Sequence, residues 1–280
     1  MAIKTIVVGL MTPADAEWLV PAACAVANSY GAHLIGVHPV ETKLPYVSMD
    51  GMVSDLSGPM FYDWQIEETT AIRDIFDRLT RVEDFVAEWR TQEVGTMGSA
   101  DFLAGIARIA DLVIVGQPDT GEARRDETAL YEYVIRQSGR PVLVVPRGHV
   151  VETIGQHLLF GWSDTDEAAR AVHDALTLAK QGAQFDILYV GQEGQDCDAG
   201  PSARRDLAAA LDRHGIKTEL IAVSADADGT AATLLRHATK RHCDTIVAGA
   251  FGHSRVYDFV IGALTHELMK SANLPILFAK

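Results

Sequence analysis

Three glycines near the end of the chain have a spacing that suits phosphate binding. Gly249 ends a short apolar run, Gly252 follows after two residues, and Gly262 follows after nine more. Glycines at a strand end let backbone N–H groups approach a phosphate, because no Cβ stands in the way. A helix that begins after Gly262 would direct free N–H groups and its positive dipole end at that phosphate. The alternative is that these glycines only form sharp turns. In the same loop, His253 and Arg255 either donate to an anion or are simply exposed.

The segment that follows an earlier apolar run also has two interpretations. Trp162 either stacks on a base or plugs the end of a sheet. Residues 163–165 (SDT) are typical of a helix N-terminus, with Asp164 and Glu167 spaced as in a capping box. The matching segment of the first half, which begins TPAD at Thr12, predicts an N-cap followed by proline at the first helical position.

The chain repeats itself, which predicts an internal duplication. Gly116 precedes Pro141 by 25 residues, and Gly249 precedes Pro275 by 26. The apolar landmarks recur in one order in both halves: 6–9 and 158–161, 31–40 and 182–191, 110–117 and 243–250, 138–145 and 272–279. We therefore expect two domains, residues 1–149 and residues 150–280.

Each copy is predicted to alternate five strands with four helices. Strands that are continuous apolar runs, separated by amphipathic helices, indicate a parallel sheet covered on both faces. The third strands are placed at 87–94 and 216–223. The first copy carries an insertion at about 41–62, and its segment 44–60 either caps a pocket, touches a partner or is a surface loop. The long helix after it is predicted to bury Ile66, Ile72, Ile75, Phe76 and Leu79.

Composition excludes several classes of protein. The net charge of −14 argues against nucleic acid as a partner, since a polyanion would be repelled on average. No apolar run approaches the ~20 residues that span a bilayer, so no membrane association is expected. Cys24, Cys197 and Cys243 lie far apart, which argues against a disulfide framework or a zinc cluster. Together with an N-terminus that lacks signal-peptide anatomy, this predicts a cytoplasmic protein.

The chain resembles the universal stress protein family. The spacing G-x2-G-x9-G, followed by a small or hydroxyl residue, is similar to the nucleotide-binding signature of its ATP-binding members. GWSDTDEAARAV (161–172) resembles the start of the second copy in bacterial tandem members. The resemblance implies an α/β fold of two tandem open five-stranded parallel-sheet domains, similar to adenine nucleotide alpha hydrolases and Rossmann-like. It also implies that the domains pack as a pseudo-dimer through the last strands, PVLVV (141–145) and PILFA (275–279), and that the chain forms a homodimer.

The resemblance implies a site for ATP or AMP, with Mg²⁺ accompanying ATP, in the second copy only. Trp162, Ser163 and Val190 would border the ribose and adenine. The phosphates would contact Gly249, Gly252, His253, Gly262, Ala263, Leu264 and Thr265. Two positions depart from the family pattern, since Ala263 replaces Ser or Thr and Ser163 replaces Asp. Losing one hydrogen bond to a charged group weakens binding roughly ten- to a hundredfold. Asp164 is adjacent and offers a carboxylate in place of the missing one.

The first copy departs further from the pattern. It keeps Gly116, but Asp119 and Ala129 stand where the second copy has Gly252 and Gly262. A glycine-lined phosphate cradle is therefore not expected there, and the acidic residues between 119 and 127 would repel phosphate.

Three functions follow from these patterns. The first is a non-enzymatic stress-response protein that binds an adenine nucleotide or a related anion in its second copy. The second is a ligand-free protein-interaction or regulatory module, which Ala263, Ser163 and the degenerate first copy favour. The third is an enzyme that splits or transfers adenylate, for which the sequence offers no candidate nucleophile, base or metal cluster. His237, His242 and Cys243 do not share one helical face, so a metal site is not expected there.

Overall fold

A computed structural model describes residues 3–41, 46–47, 53–54, 59–119, 126–191, 202–225, 227–252 and 263–280. The elements of the first half are β1 Thr5–Gly9, α1 Pro13–Tyr30, β2 His33–Val40, β3 Tyr46–Val47, β4 Val53–Ser54, α2 Pro59–Thr80, β5 Ala87–Glu93, α3 Ser99–Ala107, β6 Leu112–Gly116, α4 Asp126–Gln137 and β7 Val142–Val145. Those of the second half are β8 His157–Trp162, α5 Asp166–Leu178, β9 Gln184–Gly191, α6 Ser202–Asp212, β10 Lys217–Ser224, α7 Gly229–Lys240, β11 Thr245–Gly249, α8 Ala263–Ser271 and β12 Ile276–Ala279.

The fold is α/β, with one mostly parallel sheet of ten strands in the order β5-β2-β1-β6-β7-β12-β11-β8-β9-β10. Within each half the first strand is central and the connections cross over, because strands that pair parallel cannot be joined by a tight turn. The two halves meet where β7 and β12 pair antiparallel, with Leu143 opposite Leu277. The short strands β3 and β4 form a separate two-stranded ladder. The predicted pairing of the two last strands is therefore present in this structure.

Helices cover both faces of the sheet, which explains the continuous apolar strands. Alternate strand residues enter two core clusters, one on each face; Val8 belongs to the first cluster and Val7 to the second. Both clusters draw residues from both halves of the chain, so the core continues across the β7–β12 junction. Among the described residues, no helix combines the length and apolar character needed to cross a membrane.

The predicted third strands and the long helix after the insertion are confirmed as β5, β10 and α2. Along α2, Ile72 and Phe76 are fully buried, as expected. The prediction for Ile66 is wrong, because this residue is 64% exposed in the structure, whereas its neighbour Gln65 is buried. The prediction that segment 44–60 caps a pocket or touches a partner falls largely outside the described residues.

Candidate functional site

The carboxyl ends of β8, β9 and β11 lie side by side at one edge of the sheet, where open α/β folds bind ligands. Trp162 ends β8 opposite Tyr189 of β9, and Ala248 of β11 pairs with Gly161. The structure therefore places Trp162, Val190 and Gly249 at the ends of neighbouring strands, and their predicted contacts with a nucleotide stay predictions. Ser163 follows Trp162 and is exposed, whereas Val190 is half-buried and packs against the core.

Gly249 is required by packing at this edge. A Cβ at this position would lie 2.6 Å from the backbone nitrogen of Ala168 and 2.7 Å from the carbonyl carbon of Glu167. Those atoms belong to the first turn of α5, which sits directly on the end of β11. The absence of a side chain is therefore explained by helix packing, independently of any phosphate.

The space beside Gly252 is occupied by the carboxylate of Glu167. A Cβ at Gly252 would lie 2.8 Å from Glu167 Oε2. Lys280, the residue after β12, places Nζ 3.5 Å from Glu167 Oε1 and donates to the carbonyl oxygen of Phe251 at 3.1 Å. An anion at this turn would therefore meet one cation and one carboxylate. The sequence interpretation gave Glu167 only a place in a capping box and gave Lys280 no role; the signal for Lys280 was a basic residue directly after the last apolar run.

Thr265 supports the turn after β11. Its Oγ1 accepts the N–H of Phe251 at 3.4 Å, and its side chain is buried. Phe251 has a φ of +56°, a left-handed conformation that is uncommon for a bulky residue. The guanidinium of Arg136 lies 3.3 Å from the centroid of its ring, so α4 of the first half helps to hold the turn. The hydroxyl that the resemblance assigned to phosphate already has a structural partner.

The remaining site residues lie at or before the start of α8. Ala263 is the first residue of α8 and is exposed, and Leu264 packs partly against the core. Gly262 and His253 lie outside the described residues, so their predicted contacts stay predictions. The first turn of α8 is adjacent to the end of β11 through Thr265, which places a helix N-terminus at the expected edge.

Residues 163–165 do cap a helix, which begins at Asp166, but the predicted capping box of Asp164 and Glu167 is wrong. The N-cap of α5 is Thr165, whose Oγ1 accepts the N–H of Ala168 at 3.2 Å. Asp164 instead accepts the indole N–H of Trp162 at 3.2 Å, because the helix begins one residue later than the box requires. In the first half, Thr12 caps α1 and Pro13 opens it, as predicted.

The first half has a counterpart of the Lys280–Glu167 pair. Arg147, which follows β7, places Nη1 3.0 Å from Asp15 Oδ1 in the first turn of α1. Its Nη2 lies 3.7 Å from Asp119 Oδ2, at the position that matches Gly252. Both halves therefore join the end of the last strand to the start of the first helix by an ion pair.

A cluster of His157, Asp186 and Cys243 lies at the opposite edge of the second half, with candidate ligand atoms within 4.8 Å of one another. Asp186 is fully buried and accepts hydrogen bonds from His157, Gln184 and Arg241. Burial opposes ionisation, but these hydrogen bonds outweigh it and hold the pKa of Asp186 below its usual value. Burial raises the pKa of the Cys243 thiol to about 12. The Arg241 cation already neutralises the carboxylate, so the arrangement suits a buried ion pair better than a metal ion.

The part of the chain that holds the glycine spacing also matches a known family. Residues 155–280 match the model of the Universal stress protein family. One relative, a universal stress protein of Synechocystis sp., is 26% identical over 179 residues, which cover 60% of this chain. The same match covers 57% of that relative, so the chain spans little more than half of its length.

Solved structures extend the likeness in fold to the whole chain. A universal stress protein from Archaeoglobus fulgidus superposes with a TM-score of 0.72 at 16% identity, over 98% of this chain and 96% of that one. A Pseudomonas aeruginosa protein of unknown function gives a TM-score of 0.62 at 15% identity, over 100% of this chain and 93% of that one. At such identities the likeness establishes the fold alone. The first half thus shares the architecture of the universal stress protein structures, while the family match covers the second half.

Proposed function

We propose that this protein is a non-enzymatic stress-response protein whose second half binds an adenine nucleotide, ATP or AMP, or a related anion. The observation that carries the proposal is the meeting of three features at the end of β11: the turn at Gly252, the first turn of α8 and the ammonium group of Lys280. Backbone N–H groups, a helix N-terminus and a cation together suit a phosphate. The family match over residues 155–280 supports the same half.

Phosphate would contact Lys280, which the family pattern did not assign. The ammonium group lies between the carbonyl oxygen of Phe251 and the carboxylate of Glu167. It can turn toward a phosphate placed at Gly252, because its partners among the described residues are one neutral acceptor and one carboxylate at the long distance of 3.5 Å. This cation offsets part of the hydrogen bonding that Ala263 cannot supply.

Glu167 makes the site selective about the charge of its ligand. A triphosphate without a cation would approach a carboxylate at the Gly252 turn, and like charges at such distances repel. Mg²⁺ bound to ATP would reduce this repulsion, and AMP would suffer less of it. We therefore propose that ATP binds better with Mg²⁺ than without it.

Two further features belong to the proposal. We propose that residues 1–149 and 150–280 are tandem domains, in agreement with the identical strand order on each side of the β7–β12 junction. We also propose a cytoplasmic homodimer. The hydroxyls of Thr165 and Thr265 accept backbone N–H groups, so we assign no catalytic role to them.

A second candidate is a ligand-free interaction or regulatory module. The observation that favours it is the Glu167 carboxylate at the Gly252 turn, together with the structural use of Gly249 and Thr265. In that case the ion pair of Lys280 and Glu167 has a structural role only: it joins the end of β12 to the first turn of α5, and no phosphate displaces it.

The test is a thermal-shift titration of the full chain with ATP and AMP, each with and without Mg²⁺. Ligand at 100 times its dissociation constant stabilises the folded state by about 2.7 kcal/mol, which raises the melting temperature measurably. The variant Gly262→Asp should lose the shift. Gly105→Asp is the matched control, because a Cβ at Gly105 meets nothing within 4 Å. No shift up to millimolar ligand would favour the interaction module. A shift that Gly262→Asp retains would mean that nucleotide binds away from the glycine turn.

A further inference from the structure

The first half contains a cavity of about 740 Å³ at the carboxyl edge of its strands. It lies between the ends of β1 and β2, one side of α2, and the first turns of α3 and α4. Residues that define it include Met11, His38, Glu41, Thr69, Ser99 and Tyr133. Its volume is within the range of small-molecule sites. Nothing in the glycine pattern predicted it, since the first half lacks the phosphate cradle.

His38 presents a hydrogen-bond acceptor to this cavity. Its ring is 5% exposed, and Nδ1 lies 2.8 Å from the carbonyl oxygen of Leu10. A carbonyl only accepts, so Nδ1 must carry the proton, and the neutral imidazole then leaves Nε2 as an acceptor. Burial lowers the pKa of His38, which keeps the ring neutral near pH 7. Nε2 has no hydrogen-bond partner among the described residues.

Two other groups that line the cavity, the Thr69 hydroxyl and the Glu41 carboxylate, can form a hydrogen bond with a ligand. The buried hydroxyl of Thr69 has no hydrogen-bond partner in the structure. Leaving such a group unsatisfied is costly, so an unpaired hydroxyl at a cavity wall indicates a missing partner. Glu41 accepts the hydroxyl proton of Ser99 at 2.9 Å through one oxygen, and its second oxygen makes no bond to a described residue.

The charge of the residues that line the cavity also favours a ligand that donates hydrogen bonds. Glu41, Glu68 and Glu127 all border the cavity, whereas no lysine or arginine is among its described lining residues. Trp64 and Tyr133 add aromatic rings at the rim, and such rings attract cations. A ligand that fits must donate hydrogen bonds and carry positive charge. The three carboxylates offset the positive N-terminal ends of α3 and α4, which would otherwise suit a phosphate.

We propose that this cavity, defined by His38, Glu41 and Thr69, binds a small organic ammonium compound. An ammonium group would donate to Nε2 of His38 and to the carboxylate of Glu41, and Thr69 would accept a further N–H. The two halves of the chain would then carry sites of opposite preference, one for an anion and one for a cation. This site does not depend on nucleotide binding in the second half.

The test is isothermal titration of the full chain with putrescine, a linear diamine, with spermidine, and with butanediol as the uncharged analogue of putrescine. We expect one amine per chain and no binding of butanediol. Glu41→Gln should weaken amine binding about tenfold or more, because a charged hydrogen-bond partner is lost. Glu67→Gln is the matched control, since Glu67 is an exposed acid on α2 outside the cavity.

Thr69→Val provides an independent variant. It removes the unpaired hydroxyl while keeping the side-chain shape, so the free protein should be as stable as the parent while amine affinity falls. Equal affinity in Glu41→Gln, Glu67→Gln and the parent, or several weak sites per chain, would overturn the proposal and indicate general attraction to the net negative surface. Gly262→Asp should retain amine binding and Glu41→Gln should retain any nucleotide shift, which separates failure of this site from failure of the other.

Discussion

A methyl group added at Gly249 meets backbone, and one added at Gly252 meets the end of a flexible side chain. At Gly249 the nearest atoms are the Ala168 nitrogen at 2.6 Å and the Glu167 carbonyl carbon at 2.7 Å, so α5 itself would have to move. We expect Gly249→Ala to destabilise the fold by about 1–3 kcal/mol, the usual cost of overpacking. Gly252→Ala should cost less than about 1 kcal/mol, because Glu167 can change rotamer. Urea unfolding of both variants measures the difference.

The outcome separates packing from ligand binding at this residue. If Gly249→Ala is as stable as the parent yet loses the nucleotide shift, the glycine serves phosphate and the packing explanation is wrong. If the variant is destabilised and its folded fraction still binds nucleotide, the glycine is needed for packing and not for phosphate.

The sequence predicts which residues lie at the carboxyl edge of the strands better than it predicts which side chains they contact. The resemblance implies Trp162, Val190 and Gly249 as site residues, and the apolar runs place each of them at a strand end. Glu167 and Lys280 come together only after α5 is laid against β11 and β12 is placed beside it. His38, Glu41 and Thr69 converge from β2, the segment after it, and α2. Residues that are distant in the sequence and meet only in the folded chain show no recognisable spacing, so the sequence does not predict such contacts.

At the scale of elements, the N-terminus of α5 is where capping and ligand binding compete as explanations. The side chain of Thr165 accepts the Ala168 N–H, whereas the exposed side chain of Ser163 lies 3.3 Å from Thr165 Oγ1 and caps no described N–H group. Thr165→Ala should therefore destabilise the protein by about 1 kcal/mol, the usual cost of losing an N-cap. Ser163→Ala should change stability by less than about 0.5 kcal/mol. Chemical denaturation of both variants is the measurement. A larger loss for Ser163→Ala would place the cap where the sequence interpretation allowed it and contradict the observed geometry.

The sequence predicts the strands and helices with strong hydrophobic periodicity well. It predicts the residues at which these elements begin and end less well. β5 and β10 lie within a residue or so of the predicted third strands, because apolar strands between amphipathic helices leave few alternatives. The cap of α5 was misplaced by one residue, since Ser, Asp and Thr in succession all have N-cap propensity and only backbone conformation decides among them. The spacing of Ile66 predicts that it faces the core, but at this turn of α2 the buried side chain is that of Gln65, the residue before it.

At the scale of the whole molecule, the duplication predicted the architecture, and the side chains that join the halves could not be predicted from it. β7 and β12 lie at the centre of the sheet, and Leu143 and Leu277 face each other with at most 1% exposure. Elsewhere Lys180 donates to the carbonyl oxygen of Ser29 and lies over the ring of Tyr30. These contacts join the halves through groups that have no counterpart in the repeat pattern. They imply that the halves unfold together.

A double-mutant cycle across the junction tests that implication. Leu143→Ala and Leu277→Ala should each cost about 2–5 kcal/mol as buried large-to-small changes. Because the two residues are directly paired, the double variant should depart from additivity by about 0.5–3 kcal/mol. Leu34 and Leu277 form the control pair, since four strand spacings, roughly 19 Å, separate their strands and their effects should add. Calorimetry of the parent should show a single transition. Two transitions, with additive effects of Leu143 and Leu277, would mean that the halves fold independently and that the antiparallel junction only holds them side by side.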